Sequence, residues 1–167
     1  MRVLIACEFS GIVRDAFRAR GHVAWSCDRL ASETDGQHIE GNVLTVLHMR
    51  WDMMIAFPPC THLASSGARW FKDKAADQMQ AIDFVRRLMA APIDRIAIEN
   101  PIGVLSTRIR KPDQIIQPWQ FGHGLRYAWQ GPTAVFPSIM AWWLAMHTRL
   151  PSVDNLRRLQ FWEVLEP

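Results

Sequence analysis

Four polar clusters, each at the end of a short apolar run, contain the side chains that could do chemistry. They are Cys7-Glu8-Phe9-Ser10-Gly11, Asp28, Pro58-Pro59-Cys60-Thr61 and Glu99-Asn100-Pro101. A cysteine thiolate is a nucleophile, and a carboxyl group at the end of a buried strand loses hydration, which raises its pKa towards the range of a general acid. Because ligands of α/β sheets bind beyond the carboxyl ends of the strands, we expect these clusters to form one site.

The turn at Cys60 has two interpretations. Pro58 and Pro59 restrict φ and keep the turn extended and stiff, so the thiol is presented rigidly, as a nucleophile requires. The polar neighbours Thr61 and His62 favour this interpretation. The alternative is an inert buried cysteine, because a reactive thiol needs a positive group nearby that lowers its pKa.

The other clusters also have structural alternatives. Asp28 is placed to accept hydrogen bonds from ribose hydroxyls, or it is a solvated loop acid. Ser10 belongs to a tight turn that presents backbone amides to a cofactor, or it is the N-cap of the following helix. Asn100 before Pro101 is a good helix start, so Asn100 is expected to cap a helix while Glu99 supplies the chemistry.

The elements that must position these clusters follow from the spacing of apolar residues. Short runs with β-branched residues predict strands, and apolar residues three or four positions apart predict helices. Strands are expected at 3–7, 23–27, 53–57, 93–98 and 114–117, helices at 12–20 and 75–91, and a polar surface loop at 29–41. This alternation predicts an α/β fold with a doubly wound, mostly parallel sheet and helices on both faces.

Composition restricts the class of protein. The chain has 167 residues, of which 49% are hydrophobic and 21% charged, and this predicts one folded domain. No apolar run approaches the ~20 residues of a membrane-spanning helix, so no membrane partner is expected. The three cysteines lie far apart, which argues against a disulfide framework or an all-cysteine zinc site and favours a cytoplasmic location. The net charge of +3 is too small for strong nonspecific DNA binding by itself.

From Met1 to about Phe121 the chain resembles the DNA cytosine carbon-5 methyltransferases, especially a compact, prophage-encoded branch. The string Asp52-x-x-Ile55-Ala56-x-Pro58-Pro59-Cys60, with Gly67 seven residues later, is similar to that family's nucleophile motif. Glu99-Asn100 is similar to its acid motif, and Cys7 to Gly11 to its glycine-rich cofactor turn. Asp28 resembles the acid after the family's second strand, and Gly41-Asn42-Val43 resembles a Gly-Asp stretch that contacts adenine.

The resemblance implies a class I S-adenosyl-L-methionine-dependent methyltransferase fold and methylation of cytosine at carbon 5. It implies that Cys60 adds covalently to carbon 6 and that Glu99 hydrogen-bonds or protonates ring nitrogen 3. The cofactor-binding residues it implies are Glu8, Phe9, Ser10, Gly11, Asp28, Asn42, Val43 and Pro58. The substrate-binding residues it implies are Pro59, Asn100, Arg108 and Arg110, although Arg108-Ile109-Arg110 also fits a solvated basic loop. No metal is implied.

The resemblance covers a catalytic core at residues 1–124, followed at 125–167 by a divergent extension of the same domain that is rich in aromatic residues. Five of the eight tryptophans lie from Trp119 onward, and they are expected to pack on the sheet or at a homodimer interface. The remaining length cannot hold a large target-recognition region, so DNA or a cytosine nucleotide is expected as substrate without tight sequence specificity.

Two alternative functions stay open. Pro58 to His62 also resembles the cysteine motif of thymidylate synthases, so the chain could modify carbon 5 of a pyrimidine mononucleotide. The cofactor turn retains only Gly11, and Asn42 stands where the methyltransferase family has Asp. These departures favour a non-catalytic module that keeps the fold and binds nucleic acid or the cofactor.

Overall fold

The strands and helices are taken from a computed structural model that describes residues 1–65 and 74–115, and the backbone of 159–165. The strands are β1 (Arg2–Ala6), β2 (Val23–Asp28), β3 (His38–Glu40), β4 (Met53–Ala56), β5 (Arg95–Pro101), β6 (Gln114–Ile115) and β7 (Leu159–Leu165). The helices are α1 (Ile12–Arg18), α2 (Ala75–Met89) and α3 (Leu105–Arg108), and a 3-10 helix covers Val43–Thr45. None of the helices in these ranges is long and apolar enough to cross a membrane.

The strands form one sheet in the order β3-β2-β1-β4-β5-β7-β6. The first five are parallel, whereas β7 runs antiparallel to β5 and β6. This confirms an α/β, Rossmann-like fold. The chain starts at the centre of the sheet, builds outward through β2 and β3, and returns to add β4 and β5 on the other side of β1. The order of the strands therefore reverses between β1 and β4, where sheets of this kind bind ligands.

Helices cover both faces of the sheet. Leu4 and Ala6 of β1 belong to a buried cluster with Ile82, Val85 and Leu88 of α2. Side chains alternate along a strand, so the residues next to Leu4 and Ala6 point to the opposite face, where α1 packs on β1 and β2. Fully burying one such aliphatic side chain contributes about 1.5–3 kcal/mol, so the two layers hold the strand ends in place.

The prediction of an irregular loop throughout 29–41 was wrong at its end. Residues His38–Glu40 form the edge strand β3, which pairs in parallel with β2 in the register Ser26↔His38. The only apolar residue of β3 is Ile39, so no apolar run marks it in the sequence. The His38 Nδ1 and Ser26 Oγ atoms lie 2.9 Å apart, and this contact together with the backbone pairing holds the strand.

The expectation that Asn100 caps a helix was also wrong. Strand β5 continues through Asn100 to Pro101, because β7 pairs with it as far as Leu159↔Pro101. The next helix, α3, begins only at Leu105 and has Val104 at its N-cap. The Asn100 side chain is therefore available for a role at the strand end.

Candidate active site

A tight turn after β4 presents Cys60. Strand β4 ends at Ala56, and the Phe57 amide donates to the Ala6 carbonyl at 2.9 Å, so the chain still follows β1 as it leaves the sheet. Pro58 is buried, Pro59 is exposed and Cys60 is half-buried. The Cys60 carbonyl accepts hydrogen bonds from the amides of the residues three and four positions later, both at 2.9 Å. The Cys60 thiol is therefore attached to a turn whose backbone is hydrogen-bonded both before and after Cys60.

The end of the neighbouring strand β5 supplies Glu99 and Asn100, which are 4% and 1% exposed. Burial raises the pKa of Glu99 to about 8, so this carboxyl group is mostly protonated at neutral pH. Asn100 Nδ2 donates a hydrogen bond of 3.2 Å to the Pro58 carbonyl. The Asn100 side chain therefore joins the end of β5 directly to the turn that carries Cys60.

Cys60 and Glu99 influence each other's charge. Burial raises the pKa of the Cys60 thiol, and the charge of Glu99 raises it further. Two neighbouring groups that can each become negative disfavour double ionisation, so they titrate as a coupled pair. A protonated Glu99 leaves only one negative charge in the site when Cys60 ionises. The arrangement thus places a thiol beside a neutral carboxyl group that can donate a proton.

A backbone bridge holds the segment after Cys60 against the segment after Asn100. The Ser65 amide donates to the Ile102 carbonyl at 2.8 Å, and the Val104 amide donates to the Leu63 carbonyl at 2.9 Å. The two segments pair between Ala64 and Gly103. The need for glycine at position 103 could not be predicted from the sequence, because it arises from the close contact between these two distant segments.

Gly103→Ala is expected to destabilise the fold, because a Cβ at this position would lie 1.8 Å from the Leu63 carbonyl oxygen. Backbone must shift to relieve this overlap, and overpacking of this kind costs roughly 1–3 kcal/mol. Urea unfolding of the variant measures the loss. Gly41→Ala is the matched control, because its added Cβ would meet no atom within 4 Å. Equal unfolding midpoints for the two variants would contradict the proposed role of the bridge.

The turn after β1 is strained and buried. Cys7 has φ 59°, a left-handed conformation that residues other than glycine rarely adopt, and its amide donates to the Cys27 carbonyl at 2.8 Å. Glu8 is 1% exposed and accepts a hydrogen bond of 2.5 Å from Ser10 Oγ. Burial raises the pKa of Glu8, although the Ser10 hydroxyl partly opposes this effect. Gly11 occupies the N-cap position of α1 with φ 77° and ψ −6°, so the N-cap expected at Ser10 lies one residue later.

Asp28 and the segment after β3 line a cleft beside this turn. Asp28 is half-buried, and its Oδ1 accepts a hydrogen bond of 3.0 Å from the Leu30 amide. Asn42 Oδ1 accepts from the Leu44 amide at 3.1 Å and so caps the 3-10 helix, while Val43 is buried. The cleft is lined by Cys7, Asp28, Asn42, Val43, Pro59 and Thr61, with α2 on its far side.

The buried polar side-chain atoms that lack a hydrogen-bond partner belong to residues at the same edge of the sheet. In the described residues, these side-chain atoms are Glu8 Oε2, Glu99 Oε1 and Asn100 Oδ1. Glu8 follows β1, and the other two residues lie near the end of β5. Buried polar atoms are rarely left unpaired, so three of them at one edge favour a polar ligand there.

Of the remaining predicted residues, Arg108 also lines the cleft, together with Pro59 and Thr61. Phe9 is half-buried, and its carbonyl accepts from the Glu33 amide at 2.9 Å. The Arg108 carbonyl accepts a hydrogen bond of 3.2 Å from Arg86 in the last turn of α2, which also lines this cleft. The Arg110 guanidinium pairs with both carboxylate oxygens of Asp113 at 2.8 Å.

Sequence analysis did not identify Arg14, which is fully buried in α1. Its neighbours on the helix include Val13 and Phe17, which are also buried. The signal was present in the spacing, because position 14 lies three residues before Phe17 and therefore beside the apolar stripe of the helix. A charged side chain at such a position must find several hydrogen-bond partners.

Comparison with known proteins assigns the chain to no family. The chain matches no protein-family model, and no curated protein is significantly similar to it. A functional assignment therefore depends on the geometry of the site and on the motifs that form it.

Proposed function

We propose that this chain methylates cytosine at carbon 5 in DNA, using S-adenosylmethionine as methyl donor and Cys60 as covalent nucleophile. The observation that carries the proposal is the pairing of Cys60 with a buried carboxyl group at the ends of two adjacent parallel strands. The Asn100 side chain ties these two strand ends together through the Pro58 carbonyl. A nucleophile and a neutral acid held side by side are what addition to a pyrimidine ring needs.

The topology of the sheet supports the methyltransferase class. The dinucleotide-binding order is 3-2-1-4-5-6 with parallel strands. Here an antiparallel strand, β7, lies between β5 and β6. This departure from the dinucleotide-binding order supports the proposed class I S-adenosylmethionine-dependent methyltransferase fold.

The residues at the ends of β1 and β2 fit the cofactor. The buried, unpartnered Glu8 Oε2 suits an ammonium group, and the Asp28 carboxylate lines the cleft where ribose hydroxyls could donate to it. When bound, S-adenosylmethionine supplies an electrophilic methyl group to carbon 5. The other residues that would surround it are Phe9, Ser10, Gly11, Asn42, Val43 and Pro58.

The chain's own residues supply the covalent activation. The Cys60 thiolate forms a bond to carbon 6 of cytosine, and the protonated Glu99 gives its proton to ring nitrogen 3 as negative charge develops there. Pro59 and Asn100 flank this position and would hold the base. After methylation, carbon 5 gives its proton to solvent water, the electron pair of that bond restores the double bond between carbons 5 and 6, Cys60 leaves as the thiolate, and Glu99 recovers the proton from nitrogen 3. In duplex DNA the target base must first be flipped out of the stack.

The cofactor site is tested by calorimetry with S-adenosylhomocysteine, which is expected to bind the wild-type chain. Asp28→Ala is expected to weaken binding by roughly 10- to 150-fold, because hydrogen bonds to a charged group contribute about 1.5–3 kcal/mol. Asp94→Ala is the control, because Asp94 is exposed just before β5, at the opposite end of the sheet. Absence of any binding by the wild-type chain would overturn the proposed use of S-adenosylmethionine.

The substrate is tested by transfer of a labelled methyl group to duplex DNA, single-stranded DNA and deoxycytidine monophosphate. Label in either DNA substrate supports the proposal. Label in the mononucleotide alone favours the pyrimidine mononucleotide enzyme instead. No label in any of the three, with S-adenosylhomocysteine bound, favours the non-catalytic module.

One observation favours the non-catalytic module as a second candidate. Burial and the Glu99 charge both raise the pKa of Cys60, so the thiol is not activated in the free chain. In the enzyme, the substrate or a neutral Glu99 must therefore promote ionisation of Cys60. The two candidates differ in whether Cys60 forms an adduct with a carbon-5 fluorinated cytosine.

A further inference from the structure

The side chain of Arg14 lies at the centre of a buried hydrogen-bond network outside the catalytic pair. It is the largest fully buried side chain of the described residues. Nη1 donates to Ser26 Oγ at 3.2 Å and to Ser32 Oγ at 3.1 Å. Nη2 donates to Thr34 Oγ1 at 2.7 Å and to the Asp35 carbonyl at 3.1 Å. One side chain of α1 therefore contacts β2 and the loop between β2 and β3.

The charge of Arg14 is balanced locally. Its Nε lies 2.9 Å from Asp15 Oδ1, and its Nη2 lies 3.1 Å from Asp15 Oδ2. Burial by itself would raise the pKa of Asp15, but the hydrogen bond and charge of Arg14 lower it overall. A guanidinium has five donors in a fixed plane, which a lysine ammonium cannot reproduce. The number of partners here therefore requires arginine.

The loop that Arg14 holds, residues 29–37, is the segment directly after Asp28. The loop is also tied to the turn after β1, because the Glu33 amide donates to the Phe9 carbonyl at 2.9 Å and Thr34 Oγ1 donates to the Ser10 carbonyl at 3.4 Å. The fit is close, since a Cβ at Gly11 would lie 2.0 Å from Thr34 Oγ1. The loop thus connects Asp28 to the turn after β1, the two parts of the cleft assigned to the cofactor.

Arg14 also acts on the turn after β1 through its charge. The positive charge of Arg14 opposes the effect of burial, which is the larger influence and raises the pKa of Glu8. Arg14 therefore favours the ionised form of Glu8, whose own Oε2 atom has no hydrogen-bond partner among the described residues. Mechanical support of the loop and electrostatic support of Glu8 come from the same guanidinium.

We propose that Arg14 is a positioning residue for the cofactor: it holds the 29–37 loop against the turn after β1 and so fixes Asp28 and Glu8 relative to each other. Arg14 acts through these residues and touches no ligand itself. The cofactor part of this inference rests on the proposed function, whereas the ordering of the loop is a property of the free chain. The two parts are therefore measured separately.

The first measurement is amide hydrogen exchange of the full chain without ligand. Arg14→Lys is expected to accelerate exchange in residues 30–36 at least tenfold relative to β1, because lysine keeps the charge and loses the planar set of donors. Phe17→Leu is the matched control, since it changes a buried side chain of the same helix whose ring packs near that of His22. Equal acceleration in the two variants overturns the positioning role.

Thr34→Val keeps the test valid if Arg14→Lys does not fold. Thr34 is exposed, so valine at this position leaves the core unchanged and removes the one hydroxyl through which the loop contacts Arg14, Asp15 and the Ser10 carbonyl. Exchange in residues 30–36 is expected to rise about threefold. Exchange in residues 30–36 that is unchanged in Thr34→Val, and in Arg14→Lys where that variant folds, would overturn the proposal.

The second measurement is the Kd for S-adenosylhomocysteine by calorimetry. We expect an increase of about tenfold for Arg14→Lys, about threefold for Thr34→Val, and less than twofold for Phe17→Leu. Equal increases in Kd for Arg14→Lys and Phe17→Leu would show that Arg14 only stabilises the fold and does not position the cofactor site. If the wild-type chain binds no S-adenosylhomocysteine, the proposed function and the cofactor part of this inference both fail, while hydrogen exchange still decides whether Arg14 orders the loop.

Discussion

Cys60→Ser is expected to form no covalent adduct with DNA that contains 5-fluorocytosine and to lose methyl transfer at least about a thousandfold. The wild-type chain is expected to be trapped by this substrate. Fluorine at carbon 5 cannot leave as a proton does, so the bond between Cys60 and carbon 6 is not broken. A serine hydroxyl has a much higher pKa than a thiol and is a poor nucleophile without a dedicated base.

The adduct is measured by denaturing electrophoresis and intact-mass spectrometry, in parallel with transfer of a labelled methyl group. Cys27→Ser is the matched control, because Cys27 is a second thiol near the cleft whose donor contact to the Gly41 carbonyl a serine can keep. Cys27→Ser should retain the adduct. Methyl transfer by Cys60→Ser at the wild-type rate would remove Cys60 as nucleophile.

Glu99→Gln is expected to change how stability depends on pH, whatever reaction the chain catalyses. Burial raises the pKa of Glu99 from 4.5 to about 8 in the folded chain. Between these values the folded state holds a proton that the unfolded state releases, so the wild-type free energy of unfolding falls as pH rises from 4.5 to 8. The loss is on the order of 3–5 kcal/mol from this group, since one pKa unit corresponds to about 1.4 kcal/mol.

Glutamine does not titrate, so Glu99→Gln is expected to gain stability relative to wild type as pH rises from 5 to 8. Urea unfolding at several pH values measures the difference. Glu40→Gln is the control, because Glu40 is exposed on the edge strand β3 and its substitution should leave the wild-type pH dependence unchanged. Parallel pH profiles for Glu99→Gln and wild type would show that Glu99 is not held protonated by burial.

Apolar runs were sufficient to predict most elements of the central sheet. Parallel strands covered by helices are buried on both faces, so β1, β4 and β5 appear as short continuous apolar runs. Amphipathic spacing likewise predicted α1 and α2 to within a few residues. Strand β3 was missed because an edge strand depends on backbone pairing and needs few apolar side chains. Residues 66–73 and 116–158, which include Gly67 and most of the tryptophan-rich region expected at a dimer interface, lie outside the described residues.

Some residues of the candidate site were predicted from the sequence, whereas residues whose contacts join distant segments were not. Residue type identified Cys60 and Glu99 as candidates, because a thiol and a carboxyl group at strand ends can act as a nucleophile and an acid. Residue type could not assign Asn100 its hydrogen bond to Pro58, since that contact depends on the pairing of β4 with β5. Arg14 was missed because its partners other than Asp15 lie 12 to 21 positions away along the chain.

The sequence by itself determined which chemical groups the strand ends carry, because those groups and the apolar runs before them are local features. Tertiary structure decided which of these groups meet. It placed β4 beside β5, so that Glu99 lies close enough to affect the ionisation of Cys60. It also removed Glu99 from water, and that burial, rather than the residue type, makes this carboxyl group an acid at neutral pH.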